Sequence, residues 1–262
     1  MAAKNDAASK SPSNPPSSAR VVEGAPLVTP TADAPSTSGA TTTPTSDPNT
    51  GNESQDSSSP WSNYPWPPND DGKACSAPHL EAAGGRQVMV VLGDSHIRNA
   101  SGALRSSLRD SGFEPVFVCW GGKTTQWGNS QITQMRDMHI LPQCLVINLG
   151  TNDVKNDAVS ADELTGRLAD LLDNTGDVAH VVLVNIWANT ALAPSTMKNV
   201  SDTISSYQQA VESAGNVSLV EWAQQARGNP GLVGDDGVHD TSDGEMVRTQ
   251  LITEAVSANC NA

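Results

Sequence analysis

From residue 87 onward, short and almost wholly apolar runs alternate with longer amphipathic stretches. The runs are Gln87–Leu92, Pro115–Cys119, Cys144–Leu149, His180–Ile186 and Val217–Val220. They are rich in Val and Ile and show no apolar/polar alternation. Strands read this way when both of their faces are covered. Between them lie helix-like segments at about 97–111, 130–138, 161–174, 197–214 and 243–257. Ser160-Ala161-Asp162-Glu163 is a capping box ahead of Leu164, Leu168, Leu171 and Leu172. Leu104 and Leu108 share one face of the first helix. Strands alternating with helices predict βαβ units. The expected fold is α/β: a three-layer α/β/α sandwich on a parallel sheet of about five strands.

The chain before residue 80 is a different kind of polymer. Residues 1–60 hold 12 Ser, 9 Pro and 8 Thr and no aromatic residue. Such a segment cannot bury enough apolar surface to offset its conformational entropy. A disordered, extended stalk or linker is predicted for it. Residues 61–85 are transitional, and Trp61, Tyr64 and Trp66 either dock on the domain or belong to the linker. The expected division is a linker over 1–85 and one folded domain over 86–262. The net charge is −14, which argues against a nucleic-acid partner or an anionic membrane surface. No run of 18 apolar residues is present, so no membrane span is expected. The start, MAAKNDAASK, lacks an apolar segment after its charges, so no secretory signal is expected.

In a sheet of this kind ligands sit beyond the carboxyl ends of the strands. Gly93-Asp94-Ser95-His96 follows the first predicted strand, and Trp120-Gly121-Gly122-Lys123 follows the second. Gly150-Thr151-Asn152-Asp153 follows the third, and Asp235-Asp236-Gly237-Val238-His239 lies beyond the fifth and a short helix. All four fall on one edge. A serine is a poor nucleophile without a base. His239 is the natural base for Ser95, and Asp236, three residues earlier, can fix its tautomer. Taken alone, Ser95 also reads as a helix N-cap. The N–H groups of Ser95 and Gly122 and the amide of Asn152 can serve as oxyanion donors. Taken alone, Asn152 and Gly122 also read as turn residues.

Together these four blocks resemble the SGNH, or GDSL-like, hydrolase superfamily across about residues 86–257. The resemblance implies a flavodoxin-like sheet, catalytic Ser95, Asp236 and His239, and an oxyanion hole from Ser95, Gly122 and Asn152. Asp94 and Asp153, beside the site, are expected to hold loops by accepting backbone N–H bonds. His96 and Trp120 are candidate substrate contacts. Ser218-Leu219-Val220-Glu221-Trp222 running on to Asn229-Pro230, with the low-complexity linker, resembles the extracytoplasmic domain of peptidoglycan O-acetyltransferases. In that branch an integral-membrane acyltransferase unit supplies acetyl groups. Here it would belong to a longer protein or a separate partner, or be dispensable in a stand-alone relative.

The chemistry this implies is two-step acyl transfer through an acyl-Ser95 intermediate, from an acyl-ester donor to a carbohydrate hydroxyl. Hydrolysis of carbohydrate or small esters is the alternative, and a non-catalytic surface-binding module is the rival of another class. No cofactor and no metal are expected, and a monomer is expected. Four cysteines allow three pairings. Cys75 and Cys260 bracket the domain, so a Cys75–Cys260 bridge is the expected disulfide in an oxidising compartment. Cys119 and Cys144 read as buried small hydrophobes. The stalk and that bridge place the protein outside the cytoplasm.

Overall fold

The structure is a computed structural model that describes residues 21–22, 60–66, 72–75 and 85–260. The remainder of the expected linker lies outside the described residues. The strands are β1 (Val21–Val22), β2 (Gln87–Gly93), β3 (Phe113–Cys119), β4 (Cys144–Asn148), β5 (His180–Val184) and β6 (Val217–Val220). The α-helices are α1 (Ser95–Asp110), α2 (Thr125–Asp137), α3 (Thr151–Asn156), α4 (Ala161–Asp173), α5 (Ile204–Ser213), α6 (Trp222–Gly228) and α7 (Ser242–Asn259). Among the described residues no helix is long and apolar enough to cross a membrane.

All strand pairs are parallel, in the order β1-β6-β5-β4-β2-β3. The five predicted strands are all present. Counted without β1, their order is the flavodoxin-like doubly wound arrangement, whose direction of winding reverses between β2 and β4. The addition is β1, where Val21 and Val22 register with Leu219 and Val220. A β-branched pair inside the Ser/Thr/Pro-rich stretch suits the otherwise open edge of β6.

Alternate residues along each strand feed two separate cores. Val90, Leu92, Val116, Val118, Leu145, Ile147, Val181, Leu183 and Leu219 face α2, α4 and α5. Met89, Val91, Phe117, Val146, Val182, Val184 and Val220 face α1, α6 and α7. That is why the strand sequences are almost wholly apolar. The first core also takes in Trp61 and Tyr64, and the Tyr64 hydroxyl donates to Gln131 Oε1 at 2.7 Å.

The disulfide expectation is corrected. The bridges are Cys75–Cys119 and Cys144–Cys260, with Cα separations of 5.3 and 5.7 Å. Cys260, at the end of α7, lies over the start of β4. Cys75 lies against the last residue of β3, where its N–H donates to Cys119 O at 2.9 Å. Each flank is therefore stapled to the sheet and not to the other flank. Cys119 and Cys144 are buried as expected, but they are oxidised. The loops closed span 44 and 116 residues, which on loop entropy alone corresponds to about 4 and ~5 kcal/mol. Calorimetry with and without a thiol reductant should show a melting temperature lower by at least ~10 °C after reduction. A shift under about 3 °C would mean that the bridges contribute little.

Candidate active site

The four loops do converge at the carboxyl edge of the sheet. β2 ends at Gly93, and Asp94 caps α1 by accepting the His96 N–H at 3.0 Å. Ser95 is the first residue of α1, so its N–H has no acceptor within the helix. Its Oγ lies 2.9 Å from His239 Nε2, and His239 Nδ1 lies 2.5 Å from Asp236 Oδ2. The imidazole rides on a small hairpin closed by the Val233–Asp240 bridge, with Gly234 N–H donating to His239 O at 2.8 Å. Within that hairpin Asp236 Oδ1 accepts the N–H groups of Val238 and His239, each at 2.9 Å. Burial alone pushes the Asp236 carboxyl up. The hydrogen bonds from the His239 ring and those two amides outweigh it and hold the group at about 2. Asp236 is therefore an anion at any ordinary pH, and it orients the His239 Nδ1–H toward itself. Nε2 is then left as the acceptor facing Ser95.

After β3 the chain is pinned from outside. Gly121 N–H donates to Lys73 O at 2.8 Å, and Ala74 bridges Trp120. A Cβ on Gly121 would lie 3.7 Å from the Ser95 Cβ, so this loop passes beside the serine. Gly122 follows with φ +85°, a backbone that glycine adopts without strain. Among the described residues no protein acceptor takes its N–H. Trp120 is half-buried, and Lys123 Nζ sits 4.4 Å over its ring.

β4 leads through Leu149 and Gly150 into α3. Gly150 has φ +120°, and a Cβ there would collide with the Tyr207 hydroxyl, which donates to Leu149 O at 2.6 Å. Gly150→Ala should destabilise the fold by about 2 kcal/mol or more, through both strain and that clash. Denaturant unfolding measures it, and an unchanged midpoint would contradict it. The turn sets Asn152 at the rim. Its Nδ2 donates to Asp94 Oδ2 and to Lys123 O, each at 3.0 Å, and its Oδ1 accepts from Asn156 Nδ2 at 3.3 Å. Those partners fix which way the amide faces. Both amide hydrogens thus have acceptors in this state. Asp94 is fully buried, which raises its carboxyl pKa despite the offset from His96, its own backbone bond, Arg248 and His239. Asp153 accepts Thr125 N–H at 2.9 Å and the Thr125 hydroxyl at 2.6 Å, and it pairs with Arg167 at 2.9 Å. It ties α3 to the start of α2.

His96 is placed differently from the expectation. It is buried, one position past Ser95 on α1, and its ring packs on that of His239 with centroids 5.5 Å apart. Sequence reasoning also left Arg248 unassigned. It reaches Asp240, the residue after His239, and Asn148, and its place on α7 gives no local signal of that.

No family profile and no curated protein sequence matches this chain. Solved structures do. A lipase/acylhydrolase from Enterococcus faecalis superposes with a TM-score of 0.56 at 16% identity, covering 67% of this chain and 100% of the other. The C-terminal catalytic domain of Streptococcus pneumoniae peptidoglycan O-acetyltransferase A gives 0.56 at 21% identity, covering 67% and 96%. An acetyl xylan esterase from Geobacillus stearothermophilus gives 0.53 at 16% identity, covering 68% and 98%. With its parallel sheet, whose winding reverses between β2 and β4, the chain has the fold of the SGNH, or GDSL-like, hydrolases.

Proposed function

We propose that this protein is a serine-dependent acyl-transfer enzyme whose nucleophile is Ser95, and that it moves acetyl groups onto a cell-wall or cell-surface carbohydrate. The observation that carries the reading is the unbroken relay Asp236–His239–Ser95, with gaps of 2.5 and 2.9 Å, at the carboxyl edge of the sheet. His239 Nε2 takes the Ser95 proton as Oγ attacks the ester carbonyl. Negative charge develops on the carbonyl oxygen, and the N–H groups of Ser95 and Gly122 and the Asn152 amide would receive it. Asp236 stabilises the imidazolium without taking its proton. His239 then protonates the leaving alkoxide, and the acyl-Ser95 ester passes its group to the acceptor when His239 deprotonates that acceptor's hydroxyl.

Transfer to sugar and transfer to water share all of these steps, so hydrolysis of carbohydrate or small esters is the second reading. The structural likeness to both an O-acetyltransferase domain and an acetyl xylan esterase keeps acetyl chemistry common to the two. Two disulfides favour an oxidising, extracytoplasmic setting. A membrane acyltransferase unit supplying acetyl groups is the partner this setting calls for.

The test uses an activated acetyl ester with and without chitooligosaccharides. Mass spectrometry should find acetylated sugar, formed only when Ser95 is intact. Acetate release without any sugar product would leave the esterase reading. A folded protein that a fluorophosphonate probe does not label at Ser95 would overturn both, in favour of a binding module.

A further inference from the structure

At the foot of the hairpin that carries His239 lies a second set of charges that the proposed chemistry does not use. Arg248, at the end of the second turn of α7, is 1% exposed. Its Nε donates to Asp240 Oδ2 at 2.6 Å and its Nη2 to Asp240 Oδ1 at 3.0 Å. Its Nη1 donates to Asn148 Oδ1 at 3.0 Å. The guanidinium lies 4.1 Å over the Trp222 ring, and Nη2 comes within 3.5 Å of His96 Nδ1. All three of its nitrogens are engaged at once. The Asp240 side chain is equally buried. A buried pair of this kind is weak evidence of stability, because desolvation of the two ions offsets their attraction. Asn148 points the same way. Its buried Nδ2 has no hydrogen-bond partner among the described residues, so the one contact its amide makes is with Arg248.

The placement gives the pair a purpose. Asp240 is the residue after His239 and closes the hairpin against Val233. Asn148 is the last residue of β4, four positions before Asn152. One guanidinium therefore joins the loop that carries the base to the strand that leads to the candidate oxyanion amide. Trp222 from α6 and His96 from α1 fix its plane. Ahead of His239 the hairpin is held where Asn189 N–H donates to Gly237 O at 2.7 Å and Val238 is buried; after His239 in the chain the hold is Asp240, and a misplacement of the imidazole by about 1 Å can cost ~10²-fold in rate.

We propose that Arg248 is a positioning residue for His239: by gripping Asp240 and Asn148 together it holds the imidazole in line with Ser95 and Asp236. This rests on the acyl-transfer reading above. A lysine at 248 keeps the charge but cannot make the three-way fork. R248K should fold, lower kcat by about 10²-fold and leave KM within about twofold. It should also weaken or abolish the downfield proton resonance of the His239–Asp236 hydrogen bond, identified in wild type by its absence from D236N. R248K with wild-type kcat and an intact resonance overturns the proposal. So does a variant that loses only melting temperature.

If R248K does not fold, the double variant D240N/R248M removes both charges and leaves neither unpaired. Folding with kcat still depressed and the resonance lost supports positioning. Folding with wild-type kcat overturns it, and failure of both variants to fold makes the pair a fold determinant and overturns it too. A wild-type protein with no Ser95-dependent turnover would refute the acyl-transfer reading instead. The resonance, which needs no substrate, would then still report whether Arg248 orders the imidazole.

Discussion

Ser95→Ala and His239→Ala should each lower kcat toward activated acetyl esters by roughly 10⁴-fold or more, and the double variant should be little worse than either. A hydroxyl without its base and a base without its hydroxyl are equally idle, so the losses cannot add. Asp236→Asn separates orientation from mere presence. Asp236 Oδ1 already accepts two backbone N–H groups at 2.9 Å. An asparagine would keep its oxygen on those donors and turn its NH₂ toward His239 Nδ1. The imidazole would then carry its proton on Nε2, where it would donate to Ser95 and no longer accept from it. A fall of about 10⁴-fold with the fold intact is expected, because the wrong tautomer removes the base without removing the ring.

The pH dependence follows from the same carboxylate. Its folded value of about 2 lies below the ordinary 3.8, so its contribution to stability is complete above about pH 4 and is lost as pH falls through 2. Asp236 should therefore add no acid limb to the rate profile above about pH 3. A wild-type limb near pH 4 that vanishes in Asp236→Asn would contradict the assignment, and kcat measured from pH 3 to 8 decides it.

Much of this fold could be read before any coordinates, and for a physical reason. A sheet covered on both faces makes its strands apolar at most positions, so β2 to β6 stand out as short Val- and Ile-rich runs. The residues that follow each strand must then share an edge, which is how Ser95, Gly122, Asn152 and the Asp236–His239 turn came together from four distant segments. Features that depend on which element becomes whose neighbour were not legible. The cysteine pairing is one, since Cys119 and Cys144 meet Cys75 and Cys260 only because β3 ends beside Cys75 and β4 begins beside Cys260. The start of α2 is another. It begins at Thr125 and not near residue 130, because Thr125 is held by Asp153 from a different element. Two short 3₁₀ turns, Ser195–Met197 and Val200–Thr203, precede α5, where a single helix over 197–214 was expected. The Thr203 hydroxyl bonds Val200 O at 2.7 Å there, one of the local bonds that compete with regular helix. Arg248 shows the limit most clearly. Its partners lie 8 and 100 residues away, and a charged residue on the buried face of α7 reads in the sequence as one more solvent position.

Asn152→Ala should lower kcat by about 10²–10³-fold, equivalent to ~2.7–4 kcal/mol of transition-state stabilisation, with KM changed far less. The expectation needs argument, because Asn152 has both amide hydrogens engaged, on Asp94 Oδ2 and on Lys123 O. The two acceptors are not equivalent. Asp94 caps α1 beside the serine and is buried, so that bond holds the amide plane in place. Lys123 O belongs to the loop just after Gly122. An oxyanion is a stronger acceptor than a neutral carbonyl, so as charge develops Nδ2 should give up Lys123 O and keep Asp94. That exchange makes the interaction stronger in the transition state than in the ground state, the condition under which binding accelerates a reaction. If Asn152 instead serves only to tie Asp94 to the Lys123 loop, Asn152→Ala will lower the melting temperature, and kcat measured well below it will stay within about threefold of wild type. Asn152→Asp sharpens the distinction. It sets a second carboxyl against Asp94, whose own carboxyl burial already disfavours as an anion, and it loses both donors. It should therefore lose stability as well as rate, while Asn152→Ala loses mainly rate.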